Sequence, residues 1–339
     1  MAGDLSVAMK DCDACPIYRC GRRRYWLDRS RQRLVRLADE EKVRYHAVAA
    51  IAQEYGYPSS WIHTEIPVQD GNRRRADILV KPEGAQCALI VIECKKRGLE
   101  LTAAHKEQVL DYCYAAGAPY MVLTNGREKR VWIVDHDSHR LTPIGDVPSF
   151  RELSESHLNH ATDLCTVVCE NDGSEDAYSI ATGIGSGPAA LDLARSLHER
   201  ITASSSVFAE PFKWRNYTIA EDMGVGARSL GRIRGCWWNR GYRSVLALDP
   251  EGNACVVRFK VGADSRAPCT YLYVAVSVGA RNQCTLAMCL DDPVQAEILE
   301  DLMHNRLEHE FFADMAVDAI ERRDCRSRRW TRSRSLKRS

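Results

Sequence analysis

Apolar and polar positions along the first half of the chain alternate between helical and strand spacing. Apolar residues recur every three to four positions over 39–56, which predicts a helix. Asp39 is a suitable N-cap, and Gly56-Tyr57-Pro58 ends the helix. Short apolar runs separated by turn residues then predict three adjacent strands, a second helix and two further strands, at 62–68, 76–80, 88–95, 103–116, 120–123 and 131–134.

This order predicts a compact α/β unit over residues 38–150, preceded by an Arg-rich N-terminal segment at 1–37. Residues 151–187 are polar and glycine-rich, which is typical of a linker. A helix at 188–202, four strands and a long helix from Pro293 through Phe311 predict a second, α+β accessory domain over 188–321. The four strands are expected at 244–248, 254–261, 271–278 and 284–290.

The composition of the 339 residues, 45% apolar and 27% charged, is that of a globular protein and excludes a fibrous or wholly disordered one. No apolar run approaches the ~20 residues of a membrane helix, and the first residues lack a signal pattern. The 14 cysteines are scattered, most of them within apolar runs. We therefore expect a cytoplasmic protein with no membrane partner and no disulfide framework.

The net charge of +1 conceals two basic clusters. Residues 322–339 carry nine Arg or Lys and one Asp, and residues 19–36 carry eight Arg and one Asp. Such clusters are typical of surfaces that bind phosphate backbones. For 322–339, a solvated, disordered tail without a partner is an equally good interpretation. The candidate nucleic-acid contacts are Arg22, Arg23, Arg24, Arg328 and Arg329.

Two acidic residues and a lysine form the strongest chemical pattern. Asp77 begins one predicted strand, and Glu93 and Lys95 lie sixteen and eighteen residues later near the end of another. Residues two apart on a strand share a face, so Lys95 accompanies Glu93, while Cys94 points to the opposite side. Two converging carboxylates suit Mg²⁺, and a neighbouring lysine stabilises charge on a phosphate or orients the attacking water. Exposed charges on separate strands are the alternative for so common a tripeptide.

Gln108 and Tyr112 share one face of the second predicted helix, because they are four residues apart. They would brace the site or contact a nucleic-acid backbone. When the pair is considered without the other motifs, the better interpretation is an ordinary polar residue beside a half-buried tyrosine, with no role in a site.

Taken in order, these motifs resemble the N-terminal nuclease domain of type I restriction endonuclease R subunits, in the Asp…Glu-x-Lys nuclease superfamily. The resemblance covers about residues 38–137. It implies a restriction-endonuclease-like core, a central mixed sheet flanked by helices, with Asp77 and Glu93 as metal ligands and Lys95 as the catalytic lysine. Gln108, Tyr112 and Glu41 take supporting positions. The motifs are Asp39-Glu-Glu-Lys-Val-Arg44, Gly56-Tyr-Pro58, Arg75-Ala-Asp-Ile78, Ile92-Glu-Cys-Lys-Lys96, Gln108-Val-Leu-Asp-Tyr112 and Val122-Leu-Thr-Asn-Gly126.

The chain departs from R subunits in lacking a Gly-x4-Gly-Lys-Ser/Thr phosphate loop, so ATP-driven translocation is not expected. The sequence predicts a Mg²⁺-dependent DNA endonuclease related to restriction-modification and defence systems. A non-catalytic nucleic-acid-binding or regulatory protein that keeps the nuclease fold is the alternative. Whether it forms a homo-oligomer or joins a partner protein of a defence system is left open by the sequence.

Three weaker patterns are discounted. The cysteines near the N-terminus and the His/Cys group at 157–169 lack the spacing of a zinc site. Trp237-Trp238, beside arginines, has the composition of a base-stacking surface, although a domain core is the more ordinary explanation.

Overall fold

The computed structural model describes residues 16–67, 75–157, 188–226, 230, 232–233, 236–238, 241–264, 267–278 and 281–324. The chain divides into two compact units, Met1–Asn171 and Asp172–Ser339. Each unit has its own hydrophobic core. Within the described ranges, no helix has both the length and the apolar character needed to cross a membrane.

The first unit contains a small antiparallel sheet and a larger mixed sheet. The small sheet has the order β1-β2-β3, and the mixed sheet has the order β4-β5-β6-β7-β8-β9, in which only β6 and β7 are parallel. The elements are β1 (Ile17–Cys20), β2 (Arg23–Asp28), β3 (Arg33–Arg36), α1 (Asp39–Gln53), β4 (Ile62–Pro67), β5 (Arg75–Val80), β6 (Ile90–Cys94), α2 (Ala103–Ala116), β7 (Tyr120–Thr124), β8 (Lys129–Val134), β9 (Leu141–Ile144) and α3 (Phe150–His157).

The mixed sheet is covered on both faces by helices, which is why its central strands β5, β6 and β7 are largely buried apolar runs. Side chains of α1 pack against Ile78, Ile90 and Ile92 on one face. Side chains of α2 pack against Val91 and Met121 on the other. Because α2 joins two parallel neighbours, it must cross the sheet, and it begins beside the end of β6. Thr102 caps its first turn.

Among its described residues, the second unit has one six-stranded antiparallel sheet with three helices packed against its larger apolar core, and Trp238 and Tyr242 belong to a smaller separate cluster. The sheet order is β10-β11-β14-β15-β16-β17, and β12 and β13 form a separate short hairpin. Its elements are α4 (Pro188–Thr202), β10 (Phe212–Trp214), β11 (Tyr217–Gly226), β12 (Arg232–Ile233), β13 (Cys236–Trp237), β14 (Tyr242–Leu248), β15 (Ala254–Asp264), β16 (Ala267–Val278), β17 (Arg281–Cys289), α5 (Pro293–Asn305) and α6 (Glu308–Asp324).

The structure corrects the sequence prediction at several places. The predicted Arg-rich segment contains the sheet β1–β3, and β9 is a strand that the prediction missed. The predicted linker begins with helix α3. The predicted long helix is two helices, because Arg306 is extended, with φ −129° and ψ 151°. The predicted disordered tail starts too early, since α6 continues to Asp324; the tail beyond it lies outside the described residues.

Candidate functional site

The candidate site lies where strands β5 and β6 part. Their ladder pairs Ile78 with Ile92, and the next residues along are Asp77 and Glu93. There the backbone N–H of Cys94 donates to Asp77 Oδ2 at 2.7 Å, so a side chain occupies the position of a ladder partner. Asp77 and Glu93 are only 7% and 4% exposed. The sheet therefore holds two adjacent carboxylates away from bulk water, as the sequence analysis expected.

One oxygen of Glu93 is fully engaged and the other is not. Glu93 Oε1 accepts hydrogen bonds from Lys95 Nζ at 2.7 Å and from Gln108 Nε2 at 3.0 Å. Glu93 Oε2 is buried and has no hydrogen-bond partner within the part of the chain that the structure describes. A buried carboxylate oxygen without a partner is costly unless a cation or another donor satisfies it.

Gln108 links the strand to helix α2. Its Oε1 accepts from Lys95 Nζ at 3.2 Å, and its Nε2 also donates to the Tyr112 hydroxyl at 2.9 Å. Tyr112 is buried against the sheet, so the amide is fixed from behind. The predicted shared face of Gln108 and Tyr112 thus faces the carboxylates, and Gln108 orients both Glu93 and Lys95.

Arg44, which the sequence analysis did not select as a site residue, lies at the centre of the acidic cluster. Its guanidinium, 3% exposed, contacts Glu41 and Asp77 and lies 2.8 Å from Glu65 Oε1. Burial alone would lower the pKa of Arg44, but the charges of these three carboxylates raise it above its usual value. Predicted Glu41 is therefore brought to the site through Arg44, three residues further along α1. Glu41 and Arg44 are three residues apart next to the acidic first turn of α1, and this spacing was the sequence signal that could have identified Arg44.

Glu65 is the other residue missed from sequence. It lies in β4 with φ +53°, in the left-handed region that non-glycine residues rarely adopt. The β4–β5 register, in which Thr64 pairs with Ile78 and Ile66 with Ala76, places Glu65 opposite Asp77. Such a conformation costs of order 1–3 kcal/mol and is found mainly at functional sites. Backbone strain of this kind has no counterpart in residue spacing, so the sequence did not reveal it.

Glu93 in β6 and Lys95 directly after it both have raised pKa values, but for different reasons. Desolvation, reinforced by the charge of Asp77, raises the pKa of Glu93 to about 7. Burial lowers the pKa of Lys95, but the hydrogen bond and charge of Glu93 outweigh it and raise that pKa. Lys95 is thus an ammonium group at neutral pH, beside a carboxyl group that is only partly ionised.

The residues on either side of Lys95 point elsewhere. Lys96 is 62% exposed, with its Nζ 3.3 Å from Asp39 Oδ2 on α1. Cys94 is fully buried, and desolvation together with Asp77 raises the pKa of its thiol well above the usual value. The alternation expected from the strand is observed, and Cys94 is unsuited to act as a thiolate nucleophile.

The predicted nucleic-acid contacts divide into two groups. Arg22, Arg23 and Arg24 are exposed at the tip of the β1–β2 hairpin, in the same unit as the carboxylates. Arg328 and Arg329 lie outside the described residues, as do Cys12, Cys15 and most of the His/Cys group. Trp238 is fully buried beside Tyr242 and Tyr273, so the base-stacking interpretation is wrong for this residue.

The donor set fits a hard divalent cation. Asp77 and Glu93 provide buried carboxylates, and Glu41 Oε2, like Glu93 Oε2, is buried and lacks a hydrogen-bond partner among the described residues. All of these donors are oxygen atoms, the type that Mg²⁺ prefers. Glu93 Oε1 also contacts the charged Lys95, so the oxygen donors lie beside a fixed positive charge.

Comparison with protein families agrees with this geometry. Residues 39–148 match the family described as Type I restriction enzyme R protein N terminus (HSDR_N). The match begins with α1 and ends after β9, so it includes Asp77, Glu93 and Lys95, and it confirms the resemblance inferred from the motifs. No curated protein and no solved structure matches the chain.

The raised pKa of Glu93 predicts how stability depends on pH in the absence of metal. The folded state holds this proton up to about pH 7, whereas an unperturbed glutamate releases it near 4.5. The free energy of unfolding should therefore fall by about 3 kcal/mol as pH rises between these values. Glu93→Gln should remove this slope in urea titrations with EDTA. The exposed control Glu128→Gln should keep it, and identical slopes in wild type and Glu93→Gln would contradict the assignment.

Arg44 is expected to be the internal counter-cation of the cluster. Arg44→Met leaves the charges of Glu41, Glu65 and Asp77 uncompensated, and should lower the unfolding free energy at pH 8 by about 3–5 kcal/mol. Millimolar Ca²⁺ should restore part of that loss because it supplies positive charge, and a shift to pH 5 should do so because burial raises the pKa of Glu41 and favours its protonation. Lys42→Met on the exposed side of α1 is the control. An equal loss at pH 5 and pH 8 with no response to Ca²⁺ would mean that Arg44 only fills space.

Proposed function

We propose that this protein is a Mg²⁺-dependent endonuclease that hydrolyses phosphodiester bonds in DNA, with a restriction-endonuclease-like core in its first unit. The observation that carries the proposal is the buried Asp77–Glu93 pair with Lys95 held against it and Glu93 Oε2 left without a partner. The family match over 39–148 supports it, because type I restriction enzymes act on DNA.

Asp77 and Glu93 would hold the metal. Asp77 is fixed by the Cys94 N–H and by Arg44, so its position is set before a cation arrives. Glu93 presents its free oxygen, while Lys95 and Gln108 keep the other in place. When bound, Mg²⁺ supplies the positive charge that stabilises the phosphate in the transition state.

Lys95 would act as a cation and hydrogen-bond donor. Because its pKa is raised, it is protonated at neutral pH and cannot accept a proton from water in that state. Its ammonium group would orient the attacking water and stabilise negative charge that develops on the phosphate. Gln108 would keep the ammonium group directed at the site, since it contacts both Lys95 and Glu93.

The β1–β2 hairpin would provide the first contact with the DNA backbone. Arg19 and Arg24 are opposite each other across the hairpin, and both are exposed. Like charges directly opposite each other destabilise a sheet, and a bound phosphate removes that cost. Arg22 and Arg23 extend the same positive surface around the turn.

The reaction proposed here requires no ATP, in keeping with the lack of a phosphate loop in the sequence. The described free cysteines include fully buried thiols such as Cys94 and Cys113. Unpaired thiols suit a reducing compartment, and we place the activity in the cytoplasm.

Cleavage tests the catalytic assignments. Asp77→Asn should lower Mg²⁺-dependent nicking of supercoiled plasmid at least 100-fold while preserving the fold, because the amide oxygen still accepts from Cys94. Lys95→Met should cause a similar loss. Lys96→Met should stay within about threefold of wild type, because Lys96 is 62% exposed and bound to Asp39.

Two results would contradict these assignments. Equal losses from Lys95→Met and Lys96→Met would disprove the distinction between their faces. Tight DNA binding by wild-type protein with no nicking in Mg²⁺, on supercoiled or linear DNA, would favour the non-catalytic DNA-binding protein instead. Circular dichroism and melting temperature identify any variant that fails to fold.

The hairpin arginines should determine how strongly binding depends on salt. Replacing Arg22, Arg23 and Arg24 together by Ser removes three charges and should flatten the slope of log K against log[salt] by about 2–3. The control removes the same charge from exposed arginines elsewhere, through Arg127→Ser, Arg140→Ser and Arg195→Ser. The same change of slope in both triple variants would show a general charge effect rather than a hairpin contact.

A further inference from the structure

One end of the β16–β17 hairpin, in the second unit, brings two thiols and a carboxylate together. Tyr271 pairs with Cys289, and the pairing continues beyond the strand because Leu290 N donates to Thr270 O at 2.8 Å. This register places Cys269 opposite Asp291. Since side chains two apart share a face, Cys269, Cys289 and Asp291 all lie on one side of the hairpin.

The distances among these groups are those of a metal site. The Sγ atoms of Cys269 and Cys289 and a carboxylate oxygen of Asp291 all lie within 4.8 Å of one another. Two thiolates bound to tetrahedral zinc at about 2.3 Å are separated by about 3.8 Å. Each of the three residues is partly buried, so a metal ion can reach the group while the protein shields it.

The backbone around the group is fixed in place. Thr270 N donates to Asp291 Oδ2 at 2.7 Å, and Cys289 N donates to Gln295 Oε1 at 2.8 Å. Gln295 Nε2 in turn donates to Asp292 Oδ2 at 2.7 Å, at the N-cap of α5. On the opposite face of the hairpin, Leu272, Met288 and Leu290 are anchored in the core.

Cys269 also has a polar neighbour, Tyr271, that would support it as a metal ligand. Burial and the neighbouring Cys289 thiol raise the pKa of the Cys269 thiol, and the Tyr271 side chain acts in the opposite direction as a hydrogen-bond donor. Hydrogen bonds of this kind stabilise a thiolate and orient it toward a metal. The group thus includes ligands, supporting donors and a rigid base, rather than an isolated cysteine pair.

We infer that Cys269, Cys289 and Asp291 form a binding site for a thiophilic divalent cation, with Zn²⁺ as the best match. Two thiolates select soft or borderline metals over Mg²⁺ and Ca²⁺, so this site differs in chemistry from the all-oxygen cluster of the first unit. Three protein ligands leave one tetrahedral position for water or another ligand. Bound metal would tie the β16–β17 hairpin to the start of α5.

Cobalt substitution tests the site with the reduced, metal-free full-length protein. Titration with Co²⁺ should give a thiolate-to-metal charge-transfer band and tetrahedral visible bands, which Zn²⁺ abolishes and excess Mg²⁺ does not. The double variant Cys269→Ser/Cys289→Ser should lose one bound equivalent. Asp291→Asn should weaken Co²⁺ binding at least tenfold.

Controls separate this site from other cysteines and from the proposed nuclease centre. Cys87→Ser at an exposed cysteine, Glu300→Gln on the exposed side of α5, and Asp77→Asn should all leave the cobalt spectrum unchanged. Zn²⁺ should also raise the melting temperature of wild type but not that of Cys289→Ser, provided that the metal-free variant melts cooperatively.

Cysteine-deficient variants that bind Co²⁺ as wild type does would overturn the inference. A Cys269–Cys289 disulfide that re-forms on removal of reductant, in protein that takes up no metal when reduced, would do the same.

Discussion

The arrangement of the first unit depends on burying two carboxylates next to each other within a sheet. Placing the charge of Glu93 beside Asp77, away from water, is unfavourable unless neighbouring groups compensate it. The compensation comes from separate parts of the chain: Arg44 on α1, the backbone N–H of Cys94, and Lys95 with Gln108 on α2. Arg44 and Gln108 are in range only when each helix is packed on its own face of the sheet. The packing of the two helices and the compensation of the buried carboxylates therefore depend on each other.

The parts of the site that were predictable are those set by local periodicity. Glu93 and Lys95 share a face because strands alternate, and Gln108 and Tyr112 share a face because helices repeat every 3.6 residues. Helix α2 was predicted within its observed bounds, because a polar cap and Gly117 mark its ends. Glu65 and Arg44 were not predicted as site residues because their roles arise from contacts with residues that are distant in the sequence. In the sequence, Arg44 is one more charged residue of α1. Only the fold brings it into contact with Asp77, thirty-three residues away.

The elements that were predicted wrongly also show the difference between local sequence signals and contacts made in the folded chain. The β1–β3 sheet was hidden because its arginines dominate the composition, although Tyr25, Trp26 and Leu27 are buried. The apolar spacing that runs from Pro293 to Phe311 resembles one helix, yet Leu307 is 63% exposed and Arg306 is extended. Arg306 contacts Asp314 and the Trp214 ring, so tertiary contacts accompany the break. Periodicity cannot reveal a break that is accompanied by contacts to the following helix and to a distant strand.

The one-sided opening of β6 explains why the acidic groups gather where they do. Toward β7 the strand stays closed beyond its last residue, because Lys95 N donates to Thr124 O at 2.7 Å. Toward β5 the ladder gives way after Ile78 and Ile92, and the Asp77 side chain takes the Cys94 N–H instead. The closed side fixes the backbone of Lys95, whereas the open side lets the Asp77 side chain bind the Cys94 N–H in place of a ladder partner. Opposite this gap, β4 adopts the left-handed conformation at Glu65 that brings a further carboxylate to Arg44. A sheet paired fully on both sides would leave no free N–H for Asp77, and one open on both sides would not hold the lysine against the carboxylates.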